Sequence, residues 1–181
     1  MRLLLSIYLF IAITLTQYFA AYFFSKGKNS YRKAFSAFIL CVGIYLFGYV
    51  MIININDLQE MMIWNQIQYF GLPFISVLWL TVALLYTKTI YTLSRRIVVV
   101  LFSVPVVTFI IRLTNSWHHL FYKSWEIKEI FGYYSLYLER GFWYYIHISH
   151  TIICLALTIF TYYSGYRKKR VGYTKPQLMI F

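Results

Sequence analysis

Acidic residues are scarce in this sequence of 181 residues, which contains only five of them. They are Asp57, Glu60, Glu126, Glu129 and Glu139, and none of the five lies inside a long apolar run. A proton-coupled transporter usually places a carboxylate inside a membrane span, so that class of protein is disfavoured. Charged residues make up 12% of the chain and hydrophobic residues 61%, whereas a soluble domain is about a quarter charged and about half apolar. The composition therefore predicts a membrane protein and disfavours a globule surrounded by water.

Cysteine is also rare, and the usual catalytic motifs are missing. Cys41 and Cys154 each fall near the middle of an apolar run, without the spacing of a disulfide framework or a metal site, and are interpreted as small buried hydrophobic residues. The sequence has no P-loop, no H-E-x-x-H and no G-x-S-x-G. We therefore predict neither an enzyme active site nor a cofactor for this chain.

Long apolar runs define the fold class. A helix needs about 20 apolar residues to cross about 30 Å of hydrocarbon. A further run starts at Pro176 and reaches only Phe181, so the chain is expected to end inside a sixth span. The prediction is an all-α transmembrane bundle, a single domain over 1–181 that is incomplete at its C-terminus. The predicted spans are 3–24, 34–53, 61–86, 97–113 and 142–163, with the start of the sixth at 176–181.

The net charge of +12 is concentrated in the loops near 26–33, 88–96 and 167–175, which alternate with the apolar runs. Loops rich in Lys and Arg stay on the cytoplasmic side, so we predict a multi-pass protein of the cell membrane with an extracellular N-terminus. Arg2 before the first run would also fit a signal peptide, but a run of about 22 residues is long for one. Because the charge is confined to loops between spans, nucleic acid is not an expected partner.

The outer segment 114–141 has a pattern of its own. Trp125 and Ile127, then Leu136 and Leu138, alternate with polar residues around a Phe-Gly pair. Such alternation predicts a small extracellular β-hairpin between spans four and five.

Two prolines fall inside predicted spans, Pro73 in the third and Pro105 in the fourth. Each removes a backbone hydrogen bond and tends to kink a helix. Kinks are common in membrane helices, and the functional alternative is that these positions are hinges that transmit a ligand-driven shift.

Polar residues near the outer ends of the spans are the candidate ligand-binding residues. Polar side chains at that depth normally face the bundle interior, because lipid cannot satisfy them. The hypothesis is an outward-facing pocket, and the alternative is that the same residues form hydrogen bonds between helices. Haem or metal binding is a further alternative, but only span five carries intramembrane histidines, and no metal is predicted. The candidates are Asn65, Gln68, His118, His119, His147 and His150.

Three local patterns occur in a recognisable order: WNQIQYFGLPF from Trp64, NSWHHLFY from Asn115 and ERGFWYYIHISH from Glu139. In order and spacing they resemble the N-terminal seven-transmembrane region that precedes bacterial histidine kinases and diguanylate cyclases. Pro73 stands two residues after Gly71, earlier than in that family's pattern. The resemblance covers nearly the whole chain.

This resemblance implies a membrane-embedded sensory input module for signal transduction, such as that of a two-component system. Its expected partners are the lipid bilayer, an unidentified small-molecule or membrane stimulus, and a cytoplasmic kinase or cyclase output domain in a full-length parent. Homodimerisation is left open. The alternatives are a small membrane enzyme or haem/quinone electron-transfer subunit, and an assembly partner of another membrane protein.

Overall fold

Long apolar helices dominate the computed structural model, which describes residues 2–27, 29–130 and 133–167. Five helical segments are long and apolar enough to cross a membrane, the third being Leu58–Tyr86. The predicted all-α transmembrane bundle is therefore confirmed, while the predicted start of a sixth span at 176–181 lies outside the described residues. The elements are α1 Arg2–Ser25, α2 Ser30–Asn54, α3 Leu58–Gln68, α4 Leu72–Tyr86, α5 Arg95–Leu113, α6 Asn115–His118, β1 Tyr122–Ile130, β2 Tyr133–Arg140 and α7 Phe142–Arg167.

The third span is broken into α3 and α4 by a short turn. Asp57 caps α3 by accepting a hydrogen bond from the backbone N–H of Glu60 at 2.9 Å. Gly71 is the N-cap residue of α4, and Pro73 lies in its first turn, where a missing N–H is tolerated. Because Pro73 cannot donate to the carbonyl of Tyr69, four residues earlier, the helix cannot continue regularly through this point.

This broken span lies at the centre of the bundle. In its most apolar window 61% of residues are buried within the protein, against 28% or less in the other spans. Helices α2, α5 and α7 all pack against α4. Close approach of α2 depends on small residues, because a Cβ on Gly48 would lie 2.5 Å from Gln68 Cγ and one on Gly71 would lie 2.3 Å from the Cys41 carbonyl oxygen.

The predicted hairpin between spans four and five is confirmed. Strands β1 and β2 pair antiparallel, with Trp125 opposite Leu138 and Ile127 opposite Leu136, which are the residues whose alternation predicted it. An irregularity between Tyr122 and Trp125 interrupts the register at the base. Trp125 and Leu138 pack on a core cluster formed by Tyr69, Phe121 and Tyr122, so the sheet lies against one end of the bundle.

The basic loops between α1 and α2 and between α4 and α5 lie at the opposite end. There Tyr31 contacts Tyr86, and Tyr86 contacts Tyr162. These contacts join the start of α2 to the ends of α4 and α7. Lys88 follows α4 in a left-handed conformation with φ of 53°. The two ends are called below the hairpin end and the basic end.

Candidate functional site

A cavity of about 560 Å³ lies beside the break in the third span. It is lined by residues of α2, α3, α4 and α7, together with Tyr69 in the break and Tyr122 in β1. Sites for small molecules typically have volumes of about 300–1,000 Å³, with mostly apolar walls and a few placed polar groups. The lining residues are Phe38, Tyr45, Asn65, Gln68, Tyr69, Leu72, Ile75, Ser76, Trp79, Tyr122, Tyr144, His147, Ile148, Thr151 and Leu155.

Two of the predicted polar residues form one hydrogen-bonded chain at the cavity wall. Asn65 Nδ2 donates to Gln68 Oε1 at 3.1 Å, and both side chains are buried. Gln68 Nε2 in turn donates to the backbone carbonyl of Tyr45 on α2 at 3.5 Å, a long contact. Residues three apart on a helix lie on one face, which explains why both reach the same cavity.

His147 lines the cavity from α7. It is 4% exposed, and its Nδ1 has no hydrogen-bond partner among the described residues. Its ring stands 6.3 Å from the ring of Tyr69 and 6.0 Å from that of Phe121, measured between centroids. A buried polar atom without a partner typically costs about 1–3 kcal/mol.

Aromatic residues close the cavity at the hairpin end. The hydroxyls of Tyr69 and Tyr122 are 2.5 Å apart, and Phe121 packs edge-on against both rings. Tyr144 from α7 joins the same group. Tyr122 lies in β1, outside the spans, and burial raises the pKa of its hydroxyl to about 12.

Arg112, in the last turn of α5, was not among the predicted site residues. It is 4% exposed, and its Nη2 donates to Asn65 Oδ1 at 2.8 Å, which extends the amide chain away from the cavity. By position it is one of the few basic residues outside the basic loops. Only its burial distinguishes it, and burial is not readable from a single arginine near the end of an apolar run.

The outer histidines, His118 and His119, belong to a structural turn and do not line the cavity. His118 Nε2 lies 3.0 Å from Thr114 Oγ1, and its Nδ1 accepts from the backbone N–H of Leu120 at 3.1 Å. His119 ends α6 with a positive φ of 51° and is exposed. Neither side chain therefore joins Asn65, Gln68 and His147 in the lining of the cavity.

Asn115 holds this turn together. Its Oδ1 accepts from the backbone N–H groups of Phe121 and Tyr122 at 2.8 and 3.1 Å, and its Nδ2 donates to the carbonyl of Tyr122 at 2.9 Å. Three hydrogen bonds from one buried side chain place the start of β1 over Tyr69.

The remaining candidates lie in other surroundings. His150 lies one turn below His147, where its Nε2 is 3.5 Å from Cys154 Sγ, and it does not line the cavity. Pro73 starts α4 at the break, and Pro105 is buried within the continuous helix α5. The two hinges stay predictions. Within the described ranges no three His, Cys, Asp or Glu side chains are grouped so that they could hold a metal ion.

The three patterns quoted from the sequence meet at one place in the fold. One connected set of ring contacts joins residues from all three patterns around the hairpin end of the cavity: Tyr69 from the first, Phe121 and Tyr122 from the second, and Tyr144 and His147 from the third.

A family model described as the N-terminal 7TM region of histidine kinase matches residues 8–181. The chain belongs to this family. Comparison with curated proteins found no match, and comparison with solved structures found none either. The resemblance predicted from the sequence is confirmed, and with it the assignment to a multi-pass membrane protein of a sensor family rather than to a catalytic domain.

Proposed function

We propose that this 7TM region is the input module of a signalling receptor and that the 560 Å³ cavity binds its stimulus, a small amphipathic molecule. The observation that supports this most is that Asn65 and Gln68 from α3 and His147 from α7 line one cavity. Structural hydrogen bonds between helices would not require a cavity, nor leave His147 Nδ1 without a partner.

The chemistry of the lining indicates the class of ligand. Near the hairpin end the wall offers amide groups, an imidazole and tyrosine hydroxyls. Towards the basic end it offers Ile75, Trp79 and Leu155, which are apolar. A ligand with a hydrogen-bonding head and an apolar body of modest length would match both parts.

Ile148 and Leu155 line the cavity and are also 36% and 45% exposed at the surface of α7. The cavity is therefore open at the side of the five described spans. With the basic loops on the cytoplasmic side, the polar end of the cavity lies near the extracellular interface. The stimulus therefore comes from outside the cell or from the membrane.

Signalling requires the stimulus to bind one arrangement of the bundle more tightly than another. The break between α3 and α4 lies directly at the cavity, and it divides Gln68 on one half from Leu72 on the other. A ligand that contacts both halves changes their relative stability, and the family assignment indicates a histidine kinase output in the parent receptor.

A cavity-filling variant with a matched control tests this proposal. Thr151 on α7 is half-buried and lines the cavity, whereas Ile153 on the same helix is 57% exposed and does not line it. Thr151→Phe and Ile153→Phe receptors are purified in maltoside, and the small molecules that accompany them are measured by mass spectrometry. We expect a small molecule with the wild type and with Ile153→Phe, and at least tenfold less with Thr151→Phe.

Folding is followed in the same samples by thermal unfolding, so that a misfolded variant is recognised. If Thr151→Phe is folded and retains the same small molecules in the same amounts as Ile153→Phe, the cavity is not the site of the stimulus. His147→Leu provides a second variant, because it removes the unpartnered nitrogen without filling the space.

A further inference from the structure

Arg112 is a buried cation that forms no ion pair with any carboxylate in the part of the chain that the structure describes. The ion pairs of the described ranges join Lys123 to Glu139 and Lys128 to Glu126, all on the exposed hairpin. Buried charges are normally paired, because an uncompensated charge in a medium of low dielectric constant is costly.

The protein compensates this charge in part with aromatic rings. The guanidinium carbon lies 5.2 Å from the ring centre of Tyr69, 5.3 Å from that of Tyr122 and 4.7 Å from that of Trp125. Ring faces stabilise a cation electrostatically. They do not replace hydrogen-bond acceptors for a group that has five N–H donors in one plane.

Hydrogen bonding to the guanidinium is correspondingly incomplete. The bond to Asn65 Oδ1 uses one donor, and the buried Nε has no partner within the described residues. A fork of N–H groups with an unused edge is the geometry that binds two oxygens of a carboxylate or phosphate.

A second cavity is lined in part by Arg112. It measures about 240 Å³ and opens between α3, α5 and the hairpin, separately from the larger cavity. Apart from Arg112, the polar side chains in its wall are neutral, and each can donate a hydrogen bond: Gln59, Gln66, Asn115 and Ser116. Ser116 and Gln59 are exposed at its rim, so the cavity can be reached from outside the bundle.

We propose that this second cavity is an oxyanion site in which Arg112 binds the carboxylate or phosphate group of a small ligand. Arg112 supplies the charge, Trp125 forms one wall and Ser116 lies at the entrance. The oxyanion comes either from a soluble organic acid or from the headgroup of an anionic lipid, since both present the same oxygens.

This site does not depend on the proposed stimulus cavity, but it is joined to it. Asn65 accepts from Arg112 and donates to Gln68, which lines the larger cavity. An oxyanion that takes over the donors of Arg112 weakens its bond to Asn65 and thereby changes the polar wall of the larger cavity. The two sites are therefore expected to be coupled.

Benzoate and its neutral counterpart benzamide test the site directly. They have nearly the same shape, and either is small enough for the cavity, but only benzoate carries a charge. Binding is measured for the purified protein in maltoside micelles from the rise in Tm with ligand concentration. We expect benzoate to bind at least tenfold more tightly than benzamide, and Arg112→Met to lose this preference. Equal binding of the two ligands, retention of the preference in folded Arg112→Met, or no binding by the wild type would overturn the proposal.

Ser116→Glu keeps the test decisive if Arg112→Met does not fold. A carboxylate at the entrance supplies the missing partner from within the chain, so we expect at least tenfold weaker benzoate binding than in the isosteric control Ser116→Gln. Equal benzoate binding by the two variants would contradict the site.

Micelles doped with phosphatidylglycerol or with phosphatidylcholine distinguish the sources of the oxyanion. If only phosphatidylglycerol weakens benzoate binding to the wild type, the headgroup is a ligand of the site. If neither lipid does so while benzoate still binds through Arg112, the ligand is a soluble acid.

Discussion

The two ends of the bundle use positive charge in opposite ways. At the basic end Lys88, Arg95 and Arg96 are exposed, and the nearby cavity of about 270 Å³ is lined by aromatic and aliphatic residues such as Phe35 and Tyr86. At the hairpin end Arg112 is enclosed by three rings and an amide. Exposed cations are typical of topology signals, whereas a buried cation needs compensation and is therefore typical of a site.

The largest expected difference between the ends is their side of the membrane. In a background of Cys41→Ala and Cys154→Ala, a single cysteine is placed at Lys128 or at Lys88, both exposed. On intact cells an impermeant maleimide is expected to label position 128 essentially completely and position 88 only after the membrane is permeabilised, because basic loops stay inside. Labelling is read on gels. The reverse pattern would mean that the hairpin end faces the cytoplasm.

Stability at the hairpin end should depend strongly on one side chain. Asn115→Ala removes three hydrogen bonds and leaves buried backbone groups without partners, for which we expect a loss of about 2–4 kcal/mol in the free energy of unfolding. Thermal and denaturant unfolding in micelles measure it. Ser116→Ala is the matched control at an exposed neighbour, where the change should stay within about 0.5 kcal/mol. Equal effects of the two substitutions would show that the turn does not depend on Asn115.

Features that are repeated along the sequence can be predicted from it, whereas the burial of a single side chain cannot. Periodicity, length and loop charge are repeated over many residues, which is why the five spans and the hairpin follow from the pattern. The break in the third span was also foreseeable at Pro73, since proline acts locally.

The site was predictable only in part. Asn65, Gln68 and His147 attract notice because polar residues are unusual within apolar runs, and the structure brings them to one cavity. His118 and His119 attract notice for the same reason, but they lie after the end of α5. There the side chain of His118 is held by Thr114 and by the backbone N–H of Leu120. Arg112 looks like an ordinary interfacial residue, because its burial depends on a hairpin that begins ten residues later and folds back over it.

Alkaline pH provides a smaller test of the same enclosure. Tyr122 is buried and the pKa of its hydroxyl is raised to about 12, so its contribution to stability is fully present below the unfolded value near 10 and is lost as pH rises from 10 to 12. The wild type should lose up to about 1.4 kcal/mol per pH unit more than Tyr122→Phe in this window. Tyr134→Phe is the exposed control, since Tyr134 is 45% exposed, and it should retain the dependence of the wild type. Parallel pH profiles for wild type and Tyr122→Phe would show that the hydroxyl is not buried as described.

The smallest effect concerns a cation that lies over a ring but remains exposed. Lys128 Nζ is 3.4 Å from the ring centre of Tyr137, closer than Arg112 is to any of its rings, yet 47% of its side chain is accessible. Because water screens an exposed cation, a double-mutant cycle of Lys128→Met and Tyr137→Leu should give a coupling of only about 0.5–1 kcal/mol. Lys123→Met is the matched control, because Lys123 forms a similar exposed ion pair with Glu139 at 3.7 Å. Its coupling with Tyr137→Leu should be near zero. A coupling of several kcal/mol for Lys128 would mean that proximity, rather than burial, decides the strength of these contacts, and the distinction between exposed and enclosed cations would no longer single out Arg112.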